Sequence, residues 1–112
     1  PTWARDYADA TAHLLADSGR LREATGIYHL SAQSHCSRLR WAQKLIDCAR
    51  AVSGSGDGWA RLLSTTTAQY PLLAPRPLYN VTSNKKIEEA FGIRMPIWED
   101  RVEAFVQTLP WH

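Results

Sequence analysis

One stretch of this chain, Ile27-Tyr28-His29-Leu30, reads as a buried strand, a short run of β-formers following Gly26. Elsewhere the apolar residues recur at helical spacing. Trp3, Tyr7, Ala10 and Leu14 stand at i, i+4, i+7 and i+11, one face of a helix. Trp41, Leu45, Cys48 and Val52 make a second stripe, flanked by Ala42, Ile46 and Ala49. Ile87 and Phe91 belong to a short third helix, and Trp98, Val102, Phe105, Val106 and Leu109 line a fourth. A lone strand forms no sheet, because its backbone donors and acceptors need a neighbouring strand. The pattern therefore predicts an α-rich α/β chain whose strand lies near the edge of a sheet completed by residues outside it.

The expected helices run from Ala4 to Ala16, Arg38 to Val52, Asn84 to Phe91 and Ile97 to Thr108. Thr2 is the expected N-cap of the first, and Gly19 its C-cap. Arg20 to Ala24 can add a further turn. Ser34 or Ser37 caps the second helix and Ser83 the third, which Gly92 ends. Pro96 suits the first turn of the last helix. Gly54 to Gly58 reads as a connector, Trp59 to Leu63 as a short helix or strand, and Ser64 to Pro77 as extended loop. With its sheet partners elsewhere, the chain is expected to expose an apolar patch around Ile27, Leu30 and the first helix, and to associate through it.

The 112 residues allow one domain with a modest core. Thirteen Lys+Arg against eleven Asp+Glu give a net charge of +2, which offers no argument for nucleic acid or an anionic membrane. No apolar run approaches a membrane span, and no segment reads as a signal peptide. Cys36 and Cys48 are accordingly expected as free thiols in a cytoplasmic protein, and Asn80-Val81-Thr82 as a chance glycosylation pattern. The start at Pro1, without Met, suggests a piece of a longer polypeptide.

The chemistry-bearing patterns are few. Gly54-Ser55-Gly56-Asp57-Gly58 is no dinucleotide fingerprint, since Trp59 stands where the third Gly belongs and no strand precedes it. His29, His35, Cys36 and Cys48 match no metal-ligand spacing and read as a strand His, a loop His and two buried thiols. There is no nucleophile elbow. No Tyr has a Lys four residues on: Thr11, Ala32, Ala74 and Ser83 occupy those places. Arg76 stands between Pro75 and Pro77, which stiffen the backbone around it. A guanidinium held on such a loop suits a phosphate or carboxylate, or else bridges loop carbonyls or a surface Asp.

The run Arg76-Pro77-Leu78-Tyr79-Asn80-Val81-Thr82-Ser83-Asn84-Lys85-Lys86, then Phe91-Gly92-Ile93, then Pro96 and Trp98, resembles the C-terminal part of the dTDP-4-dehydrorhamnose reductase family. Pro1-Thr2 with Asp6-Tyr7-Ala8-Asp9-Ala10, Gly26-Ile27-Tyr28-His29-Leu30-Ser31, and Ser37 before Trp41-Ala42 extend the resemblance over nearly the whole chain. Asn80, Thr82 and Arg38 depart from the usual Ser, Leu and aromatic of that family.

The resemblance implies the substrate-side part of an extended short-chain dehydrogenase. Residues 1–31 would complete the Rossmann sheet with its last helix and strand, and residues 32–112 would form the substrate-binding lobe. The Gly-rich turn and the Tyr-x-x-x-Lys pair of that superfamily do not occur here. NADPH would therefore be bound by the upstream part of the full-length protein, and this chain alone would be inactive. It also implies Arg76, Asn80 and Thr2 as substrate-binding residues and a dTDP-sugar as ligand. Mg²⁺ at a subunit interface would have no ligand mapped here. A homo-oligomer, or the upstream Rossmann part, would be the protein partner. The alternatives are the regulatory subunit of methionine adenosyltransferase, another extended dehydrogenase (an epimerase or dehydratase), or a small independent α/β module.

Overall fold

The computed structural model describes residues 1–70 and 73–111. Among them five helices follow one another: α1 (Ala4–Ala16), α2 (Ser18–Glu23), α3 (Arg38–Ser53), α4 (Lys85–Phe91) and α5 (Trp98–Gln107), with one 3₁₀ turn at Thr67–Gln69. All four expected helices are present, and α1 has the expected bounds. The α-rich character holds, but among the described residues no strand forms. Ile27 to Leu30, expected as a strand, has no regular structure in this chain, where it has no strand to pair with, and the one β-type pairing among the described residues is an isolated parallel bridge between Gln33 and Ile97.

The helix ends show where local signals were overruled. Thr2 does not cap α1. The N-cap is Trp3, without a side-chain bond, while the Thr2 hydroxyl accepts from the Ala32 N–H at 2.9 Å. Gly19 lies inside α2 and ends nothing. Asp17 ends α1 and also caps α2, its carboxylate accepting from the Arg20 N–H at 3.2 Å. Ser37, not Ser34, caps α3 by accepting from the Arg40 N–H at 3.1 Å. Ser83 lies one residue before the N-cap Asn84, yet its hydroxyl accepts from the Lys85 N–H at 3.2 Å. Gly92 ends α4 in the left-handed region, at φ 71°. Pro96 lies before α5, not in its first turn. Its carbonyl accepts from the Gln33 N–H at 2.8 Å, and the Trp98 N–H donates to the Gln33 carbonyl at 3.2 Å. This bracket keeps the chain extended until Trp98.

The apolar stripes assemble two small clusters. Ala49 of α3 packs with Trp98, Val102 and Val106 of α5 and with Ala32. Leu45, Cys48, Cys36, Phe105, Trp59 and Trp111 surround them. Trp41 and Val52, at the two ends of the α3 stripe, overhang this core and stay 39% and 44% exposed. The second cluster is Ala10, Ile93 and Met95, with Leu14, Leu30 and Phe91 against it. Trp59 to Leu63 is neither helix nor strand; the Trp59 indole donates to the Ser55 carbonyl, and its ring lies 6.0 Å from that of Trp111. In the loop that follows, Pro71 and Leu72 lie outside the described residues.

Polar links join the elements. Arg101 of α5 holds the buried Asp6 of α1 by two contacts of 2.8 and 3.0 Å, and its guanidinium lies over the Trp3 ring. Lys44 of α3 pairs with Glu103 of α5. The molecule is nevertheless spread out. Its radius of gyration is 17.6 Å, against about 13 Å for a compact chain of this length. Its accessible surface is 8741 Å², against roughly 6,200 Å² for a folded monomer of this mass. Ile27 is 82% exposed and Leu15 66%, as the apolar patch requires, whereas Leu30 is turned into the second cluster.

Candidate functional site

Between the segment after Ile27–Leu30 and the start of α4 lies an open groove of about 280 Å³. Ala32, Gln33, Ser34 and His35 form one wall, and Val81 to Lys85 with Glu88 the other. The first wall turns at Ser34, the one non-glycine residue at positive φ (67°) among those described. Such a conformation is uncommon for a residue with a Cβ, and it brings His35 round to the groove.

The walls are tied by an unusual side-chain pairing. The Asn84 amide contacts Ser31 twice through the backbone: its oxygen accepts from the Ser31 N–H at 3.0 Å, and its NH₂ donates to the Ser31 carbonyl at 2.6 Å. The Ser31 hydroxyl lies 3.3 Å from that of Thr82. Two residues beyond Asn84, at the second position of α4, the Lys86 ammonium donates to the Ile27 carbonyl at 2.8 Å and sits over the Tyr28 ring. Side chains of one wall thus do for the other what a neighbouring strand would do. Thr2 adds its bond to Ala32 from behind.

The groove carries hydroxyls (Ser34, Thr82, Ser83), amides (Gln33, Asn84), one ammonium (Lys85), one carboxylate (Glu88) and an imidazole (His35). That mixture suits a polar ligand rich in hydroxyl and phosphoryl oxygens better than an apolar one. The His35 ring meets the Tyr79 ring edge-on at 6.4 Å, which brings Tyr79, the neighbour of Asn80 on the loop that carries Arg76, beside this site.

The sequence-derived candidates are therefore not gathered at one point. Arg76 is exposed on that loop. Asn80 is exposed and adjoins Val81, a wall residue. Thr2 supports the wall through Ala32 without lining the groove. Asn84 and Ser31 carry no site reading in sequence, because an amide pairing with a backbone 53 residues away leaves no local spacing, and His35 reads there only as a loop His. A second hollow, of about 350 Å³, lies between α1 and residues 92–96, lined by Asp6, Asp9, His13 and Arg94 among others. Asp6 there is already spent on Arg101.

Away from the groove, burial pushes the Cys36 thiol up, with Glu99 adding to the effect and the N-terminal ammonium and Arg40 opposing it. The bond to Glu103 raises Lys44. Both cysteines are free thiols. Among the described residues no three His, Cys, Asp or Glu side chains converge.

Comparison with known proteins decides the family. Residues 1–110 match the family described as RmlD substrate binding domain. The chain belongs to that family. This RmlD substrate-binding domain is 38% identical to the dTDP-4-dehydrorhamnose reductase of Burkholderia thailandensis, over 97% of the chain and 38% of that protein. It is 35% identical to the spore coat polysaccharide biosynthesis protein SpsK of Bacillus subtilis, over 96% of the chain and 33% of that protein. The dTDP-4-dehydrorhamnose reductase of Shigella flexneri is 28% identical over 97% of the chain and 36% of that protein. The RmlD domain described here thus spans 33% to 38% of the length of these relatives. The resemblance read from Arg76 to Trp98 was to this same family.

Proposed function

We propose that this chain is the nucleotide-sugar-holding part of a dTDP-4-dehydrorhamnose reductase acting in dTDP-L-rhamnose biosynthesis. The observation that carries this is the match of residues 1–110, essentially end to end, to a substrate-binding family whose relatives bear that name. Those names favour the reductase over a regulatory subunit of methionine adenosyltransferase. The polar groove beside the Arg76 loop supports the reading from the structure.

The chain's own task is to bind and orient. Arg76, on a backbone stiffened by two prolines, supplies the paired donors that a diphosphate accepts. Asn80 and the hydroxyls of Thr82 and Ser83 offer neutral partners to the sugar. Thr2 holds the wall at Ala32. Fixing the nucleotide at a distance from the reacting carbon turns remote binding energy into orientation of the carbonyl. NADPH would supply the hydride. Its fit here is poor, since the Gly54–Gly58 run follows α3 and not a strand, so its site belongs to the upstream Rossmann part.

That upstream part also accounts for Ile27 to Leu30. Residues 1–31 complete its sheet, with this run as a strand that pairs only when the upstream strands are present. The unstructured backbone of the run, the exposed Ile27 and the surplus of roughly 2,500 Å² over a compact monomer support this. The work is cytoplasmic, where nucleotide sugars and reduced nicotinamide are available; no described helix is long and apolar enough to cross a membrane.

Titration calorimetry tests the reading in the full-length polypeptide that carries residues 1–112. Arg76→Ala should weaken dTDP-rhamnose binding by about 1–3 kcal/mol and leave NADP⁺ affinity unchanged. Arg76→Lys should recover part of the loss, since an ammonium keeps the charge but not the paired donors. Equal dTDP-rhamnose affinity in wild type and Arg76→Ala would remove Arg76 from the site.

A further inference from the structure

The Asn84 pairing has a consequence for binding as well as for folding. A side-chain amide that meets both the N–H and the C=O of one residue copies half of a strand ladder. Here it does so at the mouth of the groove: Ser31 immediately precedes the wall 32–35, and Asn84 is itself a wall residue. Its orientation admits no exchange of oxygen and nitrogen, because an N–H faces one and a carbonyl the other. The Ser31 backbone is part-buried, so loss of either bond leaves a polar group without ready access to water. Among the described residues no helix or strand spans the groove to hold the walls in its place.

We infer that Asn84 is the positioning residue of the groove. Through Ser31 it sets the spacing between the His35 wall and the Lys85 wall, and hence the fit of the nucleotide sugar, without touching the ligand itself. This rests on the reading of the groove as the nucleotide-sugar site.

Asn84→Asp separates positioning from general stability. The carboxylate still accepts from the Ser31 N–H, but it sets a negative oxygen against the Ser31 carbonyl. Protonation restores a donor there, as an O–H. Lys85 and Lys86 on α4 favour the charged form; Glu88 and the Ser31 carbonyl disfavour it. His35 lines the same groove in every variant, so each variant is compared with wild type at the same pH.

Affinities for dTDP-rhamnose and NADP⁺ are measured on the full-length polypeptide carrying wild type, Asn84→Ala or Asn84→Asp, from pH 7.5 down to 4.5. Both variants should bind dTDP-rhamnose about tenfold more weakly at pH 7.5. The Asp variant should regain affinity relative to wild type as the pH falls, and the Ala variant should not. NADP⁺ affinity should match wild type throughout, which a general loss of folding would not allow. If Asn84→Ala fails to fold, the pH-dependent recovery of Asn84→Asp alone decides. An Asp variant that equals wild type at pH 7.5, or that shows no recovery, overturns the inference while leaving the binding reading intact. Absence of dTDP-rhamnose binding by wild type overturns both.

Discussion

Replacing Asp6 with Asn should destabilise the chain by roughly 2 kcal/mol, a value bracketed by two limits. A buried ion pair broken from one side costs about 3–5 kcal/mol, and an exposed pair contributes about 0.2–1 kcal/mol. The Asp6 side chain is 8% exposed and that of Arg101 30%, so the pair lies between these limits. The two contacts, 2.8 Å to Nη2 and 3.0 Å to Nε, form the fork that a carboxylate accepts best. Asn keeps the shape but loses the charge and one acceptor. The damage spreads, because Arg101 also covers the Trp3 ring at 5.0 Å and Trp3 meets Phe105 edge-on at 5.9 Å. The expected fall in Tm is roughly 10 °C for a chain of this size. Urea denaturation followed by circular dichroism and tryptophan fluorescence measures the loss. Arg101→Met in the Asp6→Asn background should add much less than it does alone, since the pair is already broken. A loss below about 0.5 kcal/mol, within the range of ordinary surface substitutions, would refute the claim that this pair fastens α1 to α5.

Two further outcomes test local features. Gly92→Ala should cost about 1 kcal/mol, all of it from the backbone at φ 71°, because nothing lies within 4 Å of the added methyl; a melting temperature equal to wild type would exclude the left-handed cap. In a Cys48→Ser background, Cys36 should react with iodoacetamide at pH 8 more slowly than after unfolding in urea, because burial raises its pKa and so lowers the thiolate fraction. The sign for stability follows: the unfolded thiol ionises first, so stability falls as pH rises from about 8.5 toward the folded value, and equal labelling rates in the two states would contradict the burial.

The helices were legible because each carries its signal within a few residues. Ala10 and Leu14 show the α1 face, Ser37 the start of α3, and Gly92 the end of α4. The misread ends at Thr2 and Pro96 share one physical cause: a polar group spent at long range. Thr2 has the chemistry of an N-cap, but its hydroxyl is taken by Ala32, 30 residues on. Pro96 suits a first turn, but its carbonyl is taken by Gln33. Asn84 stands at an N-cap position, yet its amide is committed to Ser31, and Ser83 bonds to the Lys85 N–H. Local propensity fixes the helices, and tertiary hydrogen bonds decide how their ends are used. Of the candidate site, the Arg76 loop was legible from its prolines. The groove was not, because its walls are 46 or more residues apart in sequence, from His35 to Val81.

The same bonds explain how so open a chain keeps a shaped groove. Among the described residues its two apolar clusters hold eight buried residues between them, five in one and three in the other. Neither includes the groove walls apart from Ala32. The walls are located instead by Asn84 on Ser31, Lys86 on Ile27, Thr2 on Ala32, and Gln33 between Pro96 and Trp98. Each such bond contributes on the order of 1 kcal/mol net, less than a well-packed core residue, yet each is directional where packing is not. The last of them ties the groove to α5, because Gln33 closes on the first residue of that helix. Trp98, 1% exposed in the main cluster, therefore fixes the far end of the wall. The polar site and the apolar core meet at Ala32 and at this backbone bracket, and through them the packing of α3 on α5 reaches the groove.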